Sequence, residues 1–315
     1  MAESFSEQRI EFVIPADDLI LPFQAENARV TGRLVKLGPT VDAILSRHDY
    51  PEPVTKLLGE AVALTALLGA ALKSEGKLIL QASTDGPVDL LVADYQVPGQ
   101  LRAYARFSPA RVAALPPEGQ LLGHGHFAMT IDRGPDTERY QGVVPLEGES
   151  LTEAADTYFR QSEQLPTFIR LAVARAYRAG GAGAWTWRAG GLLVQKLTGE
   201  GGHAGTETAF EEEDWTRARM LAETVEDHEL LDPLLPPDRL LYRLFHEEQV
   251  RAYPAVPLQT YCSCSRARVE DLLRGFTSDD LKDMVVEGEV WVTCEFCNSR
   301  YRFDPTDFIK AEQPT

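Results

Sequence analysis

The sequence predicts an α+β protein in three parts: an N-terminal mixed sheet-and-helix domain over residues 1–197, an acidic helical connector over 198–254, and a small C-terminal four-cysteine zinc domain over 255–315. Three observations predict it. Strand and helix patterns alternate up to Leu197. A glycine-rich, strongly acidic stretch that still carries apolar residues follows. All four cysteines, Cys262, Cys264, Cys294 and Cys297, then fall in the last segment. With 315 residues, 44% of them hydrophobic, the chain can bury a sizeable core.

Arg9 to Val13 and Ala28 to Lys36 read as strands, the second with Val30, Gly32 and Leu34 at alternate positions. Pro51 to Pro53 fit a helix start, and Leu57, Leu58, Ala61, Leu64, Leu67, Leu68 and Leu72 recur at helical spacing behind them. Ala61, Val62 and Ala63 fill its other faces, so this helix should be enclosed. Gly76 ends it. Lys77 to Ser83, Val88 to Tyr95 and Leu101 to Phe107 form a strand meander around Asp85-Gly86 and Pro98-Gly99. His126 to Asp132 and Arg139 to Val144 are two more strands flanking the turn-rich Arg133 to Asp136. Ser150 with Glu153 has the form of a capping box opening a helix to about Gln164, and Thr167 to Arg178 with Ala184 to Leu197 form a long hairpin around Ala179 to Gly183.

Thr198 to Gly205 holds four glycines and reads as a linker. From Glu200 to Glu248 there are 14 acidic and 4 basic residues, a net of −10 out of the chain's −17. Apolar residues such as Phe210, Trp215, Val225 and Leu230, and the helical stripe Leu240, Leu241, Leu244 and Phe245, are still present. Short helices in water are marginal, so docking against neighbours should hold this connector.

Cys262-x-Cys264, then 29 residues, then Cys294-x-x-Cys297 offers four soft thiolates. At about 2.3 Å each they suit a tetrahedral Zn²⁺ with no position left for substrate or activated water. Glu289 to Thr293 and Asn298 to Phe303 read as strands that put Cys294 to Cys297 on a hairpin knuckle, and Ser265 to Arg274 with Ser278 to Val285 as two short helices. The Cys-x-Cys pair brings two sulfurs close enough to couple if the metal leaves. Binding energies of ~10–16 kcal/mol for such sites are also folding energy, so ejecting the metal should unfold the domain around it.

Other chemistries fit less well. Arg266, Arg268, Arg274, Arg300 and Arg302 give local positive charge, yet a formal charge of −17 opposes nucleic acid and anionic membrane surfaces. His124-Gly-His126 lacks the Glu of a zinc deaminase, and Thr293 stands where that enzyme class has Pro. A thiol oxidoreductase places Cys-x-x-Cys at a helix start, whereas Cys294 lies between strands. The glycines at 199, 201, 202 and 205 do not link a strand to a helix as a dinucleotide loop does, and no nucleotide-binding P-loop sequence occurs. His124 and His126 read as a strand entrance, and Glu211 to Asp214 as a solvated helix start. Val54 to Leu72 is interrupted by Lys56 and Glu60, so a membrane span is not expected; nor is a secretory leader, since Met1 to Arg9 is polar. A cytoplasmic chain is the expectation.

Leu241 to Glu248, Tyr261-Cys-Ser-Cys-Ser-Arg266 and Thr293-Cys-Glu-Phe-Cys-Asn298 with Tyr301 and Phe303 together resemble the heat-shock protein 33 family of redox-regulated holdase chaperones. The likeness continues upstream through Glu138 to Pro145, Ala155 to Gln164 and Gly190 to Gln195, and so covers nearly the whole chain. It implies a non-enzymatic cytoplasmic chaperone of the stress response, inactive while reduced and zinc-bound through Cys262, Cys264, Cys294 and Cys297. Peroxide with heat, or hypochlorous acid, would form Cys262–Cys264 and Cys294–Cys297 disulfides, release zinc, unfold the connector and expose client-binding surface. Active members form homodimers and hold unfolding client proteins without ATP. A tryptophan-bearing hairpin at Ala179 to Trp187 and the Gly199 to Gly205 run depart from the family pattern without touching the redox residues.

Overall fold

The computed structural model describes residues 17–72, 75–116, 119–134, 139–178, 184–197 and 209–308. The expected strand Arg9 to Val13, the hairpin turn Ala179 to Gly183 and the glycine run Thr198 to Gly205 lie outside the described residues.

The first strands, β1 (Leu19–Ala25) and β2 (Val30–Leu37), form an antiparallel hairpin. β1 begins with a run of three buried residues, Leu19 to Leu21, and alternates only over its last five, too short a pattern for the sequence reading, which passes over it. Helix α1 (Pro39–Leu45), also absent from that reading, opens with Pro39 at its first position. Helix α2 (Glu52–Gly69) is enclosed as expected: 14 of its 18 residues are buried.

The expected meander forms from β3 (Lys77–Thr84), β4 (Val88–Gln96) and β5 (Gln100–Phe107), followed by a short α3 (Pro109–Ala113). β6 (His124–Asp132) pairs with β3, and β7 (Tyr140–Glu147) pairs with β6. Helix α4 (Leu151–Tyr158) begins at the Ser150/Glu153 capping box, and a π-helical turn at Phe159–Glu163 completes the predicted span. The long hairpin is β8 (Thr167–Arg178) with β9 (Ala184–Lys196).

Three helices follow: α5 (Ala209–Glu223), α6 (Asp227–Leu231) and α7 (Pro237–Phe245). Short strands β10 (Val250–Ala252), β11 (Val256–Pro257) and β12 (Gln259–Thr260) come next. The last part holds α8 (Arg266–Leu273), α9 (Ser278–Asp283), β13 (Val285–Val286), β14 (Glu289–Thr293) and β15 (Arg300–Phe303).

These elements form two six-stranded sheets and a three-stranded one. The first sheet runs β10-β1-β2-β9-β8 with β11 also on β1, the second β12-β5-β4-β3-β6-β7, the third β13-β14-β15. Helix α2 packs against strands of both large sheets and fills the layer between them. The other face of the first sheet carries a second core, where Leu21, Phe23, Leu34, Leu192 and Val194 meet Leu230, Leu240, Leu244 and Phe245 of the connector. Phe23 and Phe245 stack at 5.4 Å. Trp215 packs partly buried against this core, whereas Leu234 is 86% exposed. Gly190 of β9 permits the close approach, since a Cβ there would stand 2.5 Å from the Leu230 carbonyl oxygen. A small third core of Val269, Leu273, Leu281, Val290 and Phe303 belongs to the C-terminal part. No helix among the described residues is long and apolar enough to cross a membrane.

Candidate metal centre

The chain between connector and cysteines is stitched to the core. β10 and β11 pair antiparallel with β1, and β12 pairs parallel with β5. The Leu258 N–H donates to the Asp18 carbonyl at 2.7 Å, and the Tyr261 N–H to the Leu101 carbonyl at 3.0 Å. Gly99, in the left-handed region at φ 85°, lets the β4–β5 turn approach Pro257. Cys262 therefore stands one residue beyond a chain segment zipped along the second sheet.

The other pair lies where the sequence places it. The Cys294 N–H donates to the Ser299 carbonyl at 2.9 Å and the Asn298 N–H to the Cys294 carbonyl at 2.8 Å, closing a knuckle between β14 and β15. Asn298 takes the left-handed φ of 58° that this turn requires. All four sulfurs lie within 4.8 Å of one another, and none is in a disulfide. Cys262 to Cys264 and Cys264 to Cys297 are 3.2 Å apart, Cys262 to Cys294 3.7 Å. Four thiolates at about 2.3 Å from one ion need separations near these, so the donor set fits a tetrahedral Zn²⁺. The separations do not themselves select a disulfide pairing.

The sulfurs are not equivalent. Burial pushes the Cys262 thiol up to about 12, and hydrogen-bonding neighbours among the cysteines add to it. Burial also acts upward on Cys297, but hydrogen bonding to the Ser299 hydroxyl and backbone outweighs it and brings that thiol down to about 6. The Tyr301 hydroxyl donates to the Cys264 sulfur at 3.2 Å. When bound, the ion replaces the thiol protons and fixes both cysteine pairs to each other.

The knuckle also docks on the core through contacts that spacing alone does not reveal. Phe296, between Cys294 and Cys297, lies 3.9 Å from the Arg102 guanidinium and edge-on to Tyr104 at 4.8 Å. Arg102 also donates to the Ser263 hydroxyl at 3.0 Å and pairs with Oδ2 of the buried Asp94, the same oxygen that Lys77 Nζ meets at 2.8 Å. Asn298 Nδ2 donates to the Arg47 carbonyl at 2.9 Å, and Arg47 Nη2 to the Thr260 hydroxyl at 2.9 Å. The other candidates stay apart from this centre. His124 and His126 are exposed at the start of β6, where the Asp85 carboxylate accepts from the His124 N–H at 2.8 Å. Glu212 and Glu213 are exposed in the first turns of α5, while Asp214 accepts from Arg217 at 2.9 Å.

A two-sheet α+β core, a helical cover on one sheet and a four-thiol knuckle tied to the other define a class of α+β proteins with a thiol centre at the edge of the core. The family described as Hsp33 protein matches residues 18–304. The 33 kDa chaperonin of Caulobacter vibrioides is 48% identical over 296 residues, covering 92% of this chain and 95% of the relative. That of Ectopseudomonas mendocina is 38% identical over 298 residues, covering 93% and 95%. The crystal structure of the 33 kDa chaperonin (heat shock protein 33 homolog) of Thermotoga maritima shares the fold, with a TM-score of 0.73 at 22% identity over 93% of this chain and 97% of that one. The chain belongs to the Hsp33 family, a family of chaperones and not of enzymes.

Proposed function

We propose that this chain is a redox-regulated, ATP-independent holdase, inactive when reduced and zinc-bound, that opens on oxidation and holds unfolding proteins under oxidative and heat stress. One observation carries this reading: the four thiols stand immediately beyond the strands β10 to β12 that stitch the connector to both core sheets. Cys262, Cys264, Cys294 and Cys297 serve both as zinc ligands and as redox-active thiols. Each disulfide formed gives two electrons to one peroxide, which is reduced to water, and removes two thiolates from the ion. With the metal gone the small C-terminal core loses its main source of folding energy. Knuckle contacts to Arg102, Tyr104 and Arg47 then go, along with the anchor at the end of β12.

On this reading residues 1–197 are the chaperone core, 198–254 the redox-sensitive connector and 255–315 the redox-switch domain. Family likeness supports the disulfide pairs Cys262–Cys264 and Cys294–Cys297, a homodimeric active form and a cytoplasmic setting, while the charge of −17 disfavours nucleic acid and membrane partners.

Zinc content and suppression of aggregation of a heat-unfolded client, measured before and after peroxide at elevated temperature, test it. One zinc per reduced chain, lost as suppression appears, is the expected result. Full suppression by the reduced zinc-bound protein overturns the redox control, and no suppression in either state overturns the holdase.

A further inference from the structure

On the face of the first sheet beneath the connector, the apolar floor is interrupted by Lys36, Arg170 and Arg188, one from each of β2, β8 and β9. Lys36 is fully buried, and its ammonium donates to the Asp232 carbonyl at 2.8 Å and the Leu235 carbonyl at 2.6 Å. Arg188 is 7% exposed; it donates to the Leu231 carbonyl at 2.6 Å and pairs with Asp17. Arg170 pairs with the Asp227 carboxylate at 2.7 Å. Each of these three cations is thus met by a carboxylate or carbonyl of the connector, whose stretch 200–248 carries a net of −10. When the connector leaves, Asp17 stays with Arg188, but Lys36 and Arg170 lose the partners named. A cation on an apolar surface without partners is costly. Such a face is complementary to a segment that brings carboxylates together with apolar side chains.

We infer that this face, once uncovered, is a client-binding groove selective for unfolded segments that are both apolar and acidic, with the connector as its resident occupant in the closed form. The inference rests on the holdase reading and adds to it the chemistry of the client.

The test uses the full-length protein after peroxide treatment, with two fluorescent peptides as probes. One has the sequence of residues 226–248; the other is its twin with every Asp and Glu replaced by Asn and Gln. Binding of the acidic peptide about tenfold tighter than its twin is expected, with the ratio falling toward one at about 0.5 M salt. The ratio should fall likewise in Arg170→Gln, whose side chain is half-exposed and safe to replace, and in Lys36→Met. Equal affinity for the two peptides, or a ratio that neither substitution changes, overturns the inference while leaving holdase activity standing. A preference abolished because oxidised copies cover the face by self-association, seen as dimers that Arg170→Gln dissociates, also overturns it. An oxidised chain that binds neither peptide and suppresses no aggregation removes the holdase reading itself.

Discussion

Phe296 occupies a middle position of the Cys-x-x-Cys pair yet packs outward on Arg102 and Tyr104, so one side chain shares the knuckle's geometry with the core. A desolvated cation–π contact contributes about 2 kcal/mol. Phe296→Ala is therefore expected to keep one zinc per chain while raising the population of the detached C-terminal domain roughly thirtyfold, read by hydrogen exchange at residues 258–262. Unchanged exchange there means that the β12 pairing suffices without the aromatic contact. The cysteines themselves were legible from spacing, because metal ligation constrains short separations. Phe296 was not, because its partners lie in β5 and nothing local to the knuckle marks that contact. Replacing any one of the four cysteines by Ser leaves three strong ligands, and should lower zinc content and weaken protection of α8, α9 and β13 to β15 more than that of β1 to β9. Lys36 supplies the pH dependence. Burial lowers its ammonium from 10.5 to about 8 in the closed form, while Asp232, Asp17 and Glu229 act to raise it and Arg188 to lower it. The closed form then binds fewer protons than the open one between those values, so its stability increases as pH rises from about 8 to 10.5 and falls back on return. Proteolysis of the connector across that range should slow with pH in the reduced protein, and the difference between it and Lys36→Met isolates this group.

The connector's α7 shows how an amphipathic element is held by what it covers. Leu240, Leu241, Leu244 and Phe245 are buried, while Tyr242 on the same helix is 65% exposed. Deleting a buried aromatic side chain costs about 3–5 kcal/mol. Phe245→Ala removes the stack on Phe23, and the reduced variant is expected to be cut within residues 209–250 with its zinc content unchanged. Cleavage no faster than in the parent protein would show that the connector's other contacts, those of Leu230, Leu240 and Leu244 together with Lys36, Arg188 and Arg170, hold it without Phe245. Elements of this kind were readable because their periodicity is local: α2, α7, the meander and the β8–β9 hairpin all follow from spacing. β1 was missed because its first three residues are buried without alternation and only its last five alternate, and α1 because seven residues give too little period to read. The strands β10 to β12 are two or three residues each and exist only through pairing with β1 and β5, a property of the fold that the local sequence does not carry.

At the scale of the whole molecule the question is how a change at four sulfur atoms reaches helices elsewhere on the chain. The named contacts of the knuckle run to the second sheet and to Arg47, whereas α6 and α7 lie on the first sheet, so the route between them is the stitched segment 250–261. That segment is held by short edge pairings of a few hydrogen bonds each, and pairs of this size are marginal without support at both ends. The zinc domain anchors one end and α7 the other. On the proposed redox reading, oxidation would remove the first anchor, and because the lost folding energy of ~10–16 kcal/mol would exceed the few kcal/mol by which a small cover is ordinarily held, the equilibrium of the connector would move with it. Acidic residues would keep the opened segment solvated while the apolar face of the first sheet became available. Peroxide with heat should therefore raise proteolytic cleavage first between Ala252 and Cys262, then through α5 to α7, while β1 to β9 stay resistant and holdase activity rises with the second phase. Time-resolved proteolysis read by mass spectrometry distinguishes the order. Activity that rises before any cleavage of α5 to α7 would place the client surface away from the first sheet, and cleavage of those helices ahead of the stitched segment would mean that the thiol signal reaches them by another path.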